Sequence, residues 1–467
     1  MPAALPPALI EQTLRAVARR YRVAAMSAPT RGLEDSDPAA ALAAAIEAGR
    51  PALTSGAEPQ CEHQHFFVAA LSRLIRDALR DPGGDPVFQA MVLRHQSAQV
   101  REHASLSAHA GADRRAVRTA VAAFAHPGKR RRMPGGPLAD ALADLDGACA
   151  AGEWRALTQG VQTLLSALAS DEKADAALAG QLEGLLRDPA LARLRRQDDL
   201  ASEPQVQRYQ SLWQRQGPRT GTPEAAAQGM DARRRGVAVE ARAESSIAAL
   251  AQHLAQAAGE TYRVATSLRV PASIPGNADR AKTEWDVALL RQSGGDAAEP
   301  VWDVCLLVEA KASTDAATTD LPRLLRGLRL LKHADAQTTY VFDSHQGPLR
   351  LRGAALAALP ADPDELASTI LYFSDAPAET APRLLSAASR MQLLSAQESL
   401  DYASQTIAGE APDSQTLAPL WHQLLAQPRW SPVLNQFPCL QQVRALMVHA
   451  DDLEAAIARL GQDGVKT

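Results

Sequence analysis

A chain of 467 residues has room for two to four domains at roughly 100–200 residues each. A formal net charge of −4 excludes a polycation that coats nucleic acid, so any phosphate binding has to come from a local patch. Aromatics at 4%, against abundant alanine and leucine, favour helices packed through small residues over a large β-sandwich. Residues 1–125 read as helical: Ile10, Leu14, Val17 and Tyr21 fall at helical spacing, as do Phe67, Leu71, Leu74 and Ala78. Cys61-Glu62-His63-Gln64-His65 offers metal-capable side chains at alternate positions, but the run after it is helical and splays them, so it reads as a polar helix start. The segment HPGKRRRMPGGP, residues 126–137, breaks the pattern and is expected to separate two helical subdomains, with Lys129 to Arg132 in an exposed loop. Residues 138–215 are helical again, with Val161, Leu164, Leu165 and Leu168 on one side and Tyr209 and Trp213 in local packing. Residues 216–230, rich in Pro, Gly and Thr, read as a linker.

From Asp231 the periodicity changes. A helix is expected over 232–258, closed by Gly259. Strands follow at 262–271, 284–291 and 301–311, then an amphipathic helix at 320–333 and a strand at 338–342. The order αβββαβ therefore defines a domain over 231–350, and residues 362–467 read as a helical C-terminal region. The fold class expected is α+β: a central αβββαβ domain flanked by mainly α-helical N- and C-terminal regions.

The second and third strands carry the chemistry. Ser293-Gly294-Gly295-Asp296 suits a hairpin turn, and a midpoint near residues 297–298 sets Asp286 opposite Glu309. Glu309 and Lys311, two apart on a strand, share a face. Two neighbouring carboxylates suit a hard divalent cation, and an ammonium beside them can orient the attacking water of phosphodiester hydrolysis. Lys311 is one of six lysines against 43 arginines, and it ends an apolar strand. Asp303 lies about 20 Å along the strand from Glu309, too far to share an ion, and reads as structural. Asp171-Glu172-Lys173 matches the same short pattern, but in a helical stretch with no preceding strand it reads as chance.

Trp285-Asp286 followed by Glu309-Ala310-Lys311 resembles the PD-(D/E)xK nuclease superfamily, with its restriction-endonuclease-like, Holliday-junction-resolvase-like core, over residues 231–344. Tryptophan stands where the motif usually has proline. Upstream, Arg235-Gly236 and Glu240 are similar to the basic-Gly-x-x-x-Glu opening of archaeal Holliday-junction resolvases. Glu240 and Glu244 are expected on the helix face shared by Ile247, Ala251 and Leu254. The resemblance implies a Mg²⁺-dependent endonuclease, with Mn²⁺ substituting, that acts on DNA rather than RNA. It assigns Asp286, Glu309, Glu240 and the Ala310 carbonyl to the metal and Lys311 to the nucleophilic water. Arg323, Arg326, Arg329 and Lys332 recur every third residue on the following helix, as phosphate contacts or as its solvated face.

The helical regions would select the substrate or a protein partner, and a homodimer fits such an enzyme. A catalytically inactive nuclease-fold module for nucleic-acid or protein binding, or a helical adaptor in which the motif is coincidence, are the competing readings. Cys61, Cys149, Cys305 and Cys439 have no paired spacing and suit a reducing compartment. Glu11 and several arginines stand where a signal peptide needs an apolar core, and no stretch approaches the roughly 20 apolar residues of a membrane span. The expectation is a cytoplasmic protein without a membrane partner.

Overall fold

A computed structural model describes residues 8–26, 37–55, 60–170, 175–217, 221–296, 299–379 and 382–463. The Asp171-Glu172-Lys173 match and the hairpin midpoint at 297–298 lie outside the described residues. The chain forms two compact units; the boundary between Arg219 and Thr220 falls in the expected linker, whereas that between Arg73 and Leu74 lies inside a region expected to be one helical stretch. One takes Leu74–Arg219 and Leu394–Thr416; the other takes Met1–Arg73, Thr220–Leu393 and Leu417–Thr467.

The first unit is helical. Pro86–Gln96, Pro137–Ala151, Pro189–Ala201 and Pro204–Arg215 each start on proline, whose missing N–H is not needed in a first turn. Asp85 and Asp188 cap two of these helices by accepting backbone N–H bonds. Val117, Val121 and Phe124 of helix Ala98–Ala125 share one core with Leu142, Leu145, Trp154, Leu182 and Leu191. That core draws on both sides of residues 126–137, so the break expected to divide two subdomains is a turn inside one. Arg130 ties it down by donating to the Ala125 carbonyl and pairing with Asp146 at 3.2 Å.

The second unit is built on a mixed seven-stranded sheet: β1 (Tyr262–Arg269), β2 (Glu284–Gly294), β3 (Val301–Ala310), β4 (Thr339–Phe342), β5 (Leu349–Arg352), β6 (Ile370–Ser374) and β7 (Met447–His449). β1, β2 and β3 are antiparallel neighbours, and Val287 faces Val308, the register expected from the turn. β3 then divides its free edge. Its first residues pair with β5, which pairs antiparallel with β4; its last four pair in parallel with β6, and β6 pairs with β7.

Helices cover both faces: α1 (Ala8–Ala16), α2 (Pro223–Ala258) and α5 (Ala450–Asp463) lie on one, α3 (Thr314–Leu331) and α4 (Gln436–Leu446) on the other. Ile247, Leu250 and Leu254 of α2 meet Val287, Leu289, Leu306 and Val308. Leu321, Leu324 and Leu328 of α3 meet Trp285, Leu290, Leu307 and Tyr372. Among the described residues no helix is long and apolar enough to cross a membrane.

Three elements differ from expectation. α2 begins at Pro223, because Thr222 accepts the Ala225 N–H as an N-cap and Pro223 fits the first turn; much of the expected linker is helix. α3 begins at Thr314, where Ser313 caps it, rather than at 320. The C-terminal region expected to be helical supplies β6 and β7. All five residues of β6 are buried, so it lacks the alternation that marks a strand, and three-residue β7 is too short to show a period. The strand beside the end of β3 is β6.

Candidate active site

Asp286 and Glu309 are brought together by hairpin register and by one local distortion. Trp285 and Val287, two apart, pack into opposite cores, so β2 turns over at Asp286. Across from it Ser267 sits at φ 50°, the left-handed conformation that non-glycine residues adopt rarely. An irregularity of this kind re-aims a side chain at the end of a strand pair. Asp286 is turned toward the end of β3, where its Oδ2 accepts the Ala310 N–H at 2.9 Å. Glu309, one position beyond Val308, is completely buried on the α3 face next to Tyr372. Lys311 follows, with its N–H on the Phe373 carbonyl at 2.8 Å and its own carbonyl on the Ser374 hydroxyl at 2.7 Å.

The pocket holds a residue that the motif does not contain. Lys282, four residues before Asp286, is buried, and its ammonium is in direct contact with Glu309 Oε2. It also stands 3.7 Å from Asp286 Oδ1 and 6.0 Å from the centre of the Trp285 ring. Lys311 Nζ reaches the same Glu309 oxygen at 3.1 Å and Asp320 of α3 at 3.4 Å. Three carboxylates and two ammoniums thus share one largely buried cluster. The loop carrying Lys282 is clamped on α3: its N–H bonds the Arg323 carbonyl at 3.1 Å, and Arg326 Nε bonds the Arg280 carbonyl at 2.9 Å. Gly327 makes the approach possible, since a Cβ there would lie 2.5 Å from the Lys282 carbonyl oxygen.

Burial pushes the Glu309 carboxyl up to about 8; the Asp286 charge adds to this, and the two lysines oppose it. For Lys311 burial acts to lower the pKa, but Glu309, Asp320 and Asp286 together outweigh it and raise it. Partial desolvation, then the Asp286 charge, raise Glu240.

The expected position of Glu240 needs correcting. The buried stripe of α2 runs through Val239, Ala243, Ile247, Leu250 and Leu254, and Glu240 and Glu244 flank it on the exposed side. Ile247, Ala251 and Leu254 are buried as expected, but the stripe continues toward the N-terminus through Ala243 and Val239, which leaves Glu240 and Glu244 exposed beside it. Arg323, Arg326, Arg329 and Lys332 are all exposed on the outer side of α3. Asp303, read as structural, is buried and gripped through both oxygens by Arg352 of β5.

Lys282, Asp320 and Tyr372 escaped the sequence reading. For Lys282 a signal existed, since two of only six lysines fall within thirty residues of each other around the acidic pair. Asp320 and Tyr372 gave none, because only α3 packing and the β3–β6 pairing bring them in.

Among the described residues no three His, Cys, Asp or Glu side chains converge closely enough to hold an ion. The oxygens nonetheless fit a hard cation: Glu309 Oε1 is buried without a hydrogen-bond partner beside the half-buried Asp286 carboxylate. Asp286 faces the Lys282 ammonium, and Glu309 faces those of both Lys282 and Lys311.

No protein-family model, curated protein or solved structure matches the chain.

Proposed function

We propose that the sheet-containing unit is a restriction-endonuclease-like domain of the PD-(D/E)xK type and a divalent-metal-dependent nuclease, with DNA as its substrate. The observation that carries the reading is Asp286, Glu309 and Lys311 in one pocket at the end of β3, with an unpartnered carboxylate oxygen in its wall. Asp286 and Glu309 would hold Mg²⁺ or Mn²⁺, with Glu240 and the Ala310 carbonyl completing the set. The ion would supply a Lewis acid for the scissile phosphate and lower the pKa of bound water. Lys311 orients the attacking water and offsets charge on the phosphate, as its ammonium is only 17% exposed and keeps its proton beside Glu309 and Asp320. Arg323, Arg329 and Lys332 are free on the outer side of α3 to meet backbone phosphates.

Cleavage of plasmid DNA, with Mg²⁺ against EDTA, tests the reading. Wild type nicks with Mg²⁺, while Lys311→Ala and Asp286→Asn lose activity by about 10²-fold or more. Absence of cleavage by wild type across supercoiled, linear, single-stranded and branched DNA and RNA would remove it.

One observation favours a second reading, an inactive binding module on the same scaffold. The Lys282–Glu309 contact resembles a structural ion pair that has replaced an ion. Melting with and without Mn²⁺ separates the two. Saturation at 100 times Kd stabilises a metal site by about 2.7 kcal/mol, and a scaffold shows no shift that depends on Asp286.

A further inference from the structure

We propose that Lys282 is a built-in placeholder for the divalent ion: its ammonium occupies the gap between Asp286 and Glu309 and is displaced when an ion binds there. The proposal rests on the metal site of the reading above but concerns what this chain's own residue does before and after loading.

Three observations carry it. Lys282 reaches both acids assigned to the ion, in direct contact with Glu309 and 3.7 Å from Asp286, so ammonium and ion compete for one position. Glu309 does not need it as its only counter-ion, because Lys311 already contacts the same oxygen at 3.1 Å. The second cation on this buried carboxylate brings the pocket to two ammoniums against the three carboxylates of Glu309, Asp286 and Asp320. Finally, the backbone of Lys282 is fixed, by its bond to the Arg323 carbonyl and by close packing on Gly327, while its ammonium is carried at the end of four rotatable methylenes. Asp286 and Lys311 are 20% and 17% exposed, against 5% for Lys282 and none for Glu309, so the way out lies on the Asp286 side.

Two cationic centres cannot share that gap, and a bound ion therefore swings the ammonium toward solvent. The apparent affinity is the intrinsic affinity reduced by the fraction of molecules in which Lys282 has withdrawn. Lys282 would thus hold the two acids apart from one another's charge, keep the unloaded pocket closed, and set the metal concentration at which it opens.

The test measures Mn²⁺ binding to the full chain by calorimetry, for wild type, Lys282→Met, Lys282→Gln and Asp286→Asn. In parallel, lysine dimethylation of wild type is mapped by mass spectrometry with and without saturating Mn²⁺. Lys332, exposed on α3, serves as the internal reference. Expected are binding about tenfold tighter or more in Lys282→Met, loss of binding in Asp286→Asn, and labelling of Lys282 that rises several-fold only with Mn²⁺. If wild type binds Mn²⁺ through Asp286 while Lys282 stays protected, the placeholder is overturned and the metal site stands. If neither wild type nor the Lys282 variants take up Mn²⁺, or Asp286→Asn binds like wild type, the metal site itself is lost and the placeholder with it. Should both Lys282 variants fail to fold, labelling of wild type decides alone.

Discussion

Gly327→Ala places a methyl group in the contact that fixes Lys282. A Cβ at this position would sit 2.5 Å from the Lys282 carbonyl oxygen, 2.9 Å from its Cβ and 3.2 Å from its carbonyl carbon. All three belong to main chain or to the root of the side chain, so no flexible end can step aside. The loop has to retreat by roughly half an ångström or more, straining the Lys282 N–H bond to Arg323, and overpacking of this kind costs about 1–3 kcal/mol. Against it stands the helix preference for alanine over glycine, about 1 kcal/mol. Sterics win, and the net loss is about 1 kcal/mol.

Gly236→Ala is the control. It lies within α2, and a Cβ added there would meet nothing within 4 Å, so it gains helix propensity without a clash and raises stability by up to about 1 kcal/mol. Urea midpoints followed by circular dichroism give the comparison, and the two variants are expected to move in opposite directions. If Gly327→Ala is as stable as Gly236→Ala, the loop is not clamped as described, and the argument that Lys282 is held by its backbone fails.

Further outcomes follow from other contacts. Arg352→Ala strands the buried Asp303 carboxylate with Arg291 at 3.9 Å as its nearest remaining cation. Allowing for the solvent exposure of Arg352, the loss is about 2 kcal/mol in chemical denaturation, and a loss below about 0.5 kcal/mol would show that Arg291 suffices. In the helical unit, burial lowers the pKa of His103, whose Nε2 meets Gln210 at 3.2 Å and whose Nδ1 has no partner. The unfolded chain then binds the extra proton more readily, so stability is full above the ordinary value of 6.5 and is lost as pH falls below it. His103→Gln should flatten that part of the melting profile, and an unchanged acid slope would clear His103. The triple variant Arg323→Gln, Arg329→Gln, Lys332→Gln should reduce the salt dependence of duplex binding, the log–log slope falling by about 0.9 for each phosphate that is no longer neutralised. An unchanged slope in fluorescence anisotropy would assign these cations to the solvated face of α3.

Patterns confined to one segment of chain were readable without coordinates. The apolar β-type runs of β2 and β3 and the glycines of the 293–296 turn determine the hairpin, and the hairpin register sets Asp286 opposite Glu309. Lys311 follows, because two residues along a strand must share a face. Less local features were decided elsewhere. Which residues of α2 join its buried stripe depends on the sheet: Ile247, Ala251 and Leu254 are buried as expected, but Val239 and Ala243 rather than Glu240 and Glu244 continue the stripe. β6 is buried on every residue and carries no period, so its place beside β3 came from the tertiary pairing that also delivers Tyr372. Lys282 enters the acidic pocket because a glycine on a helix 45 positions further along lets its loop come close. Sequence sets the side-chain chemistry within reach of a strand, but which distant cation faces a buried carboxylate is settled only when layers pack and every buried charge must find a counter-charge.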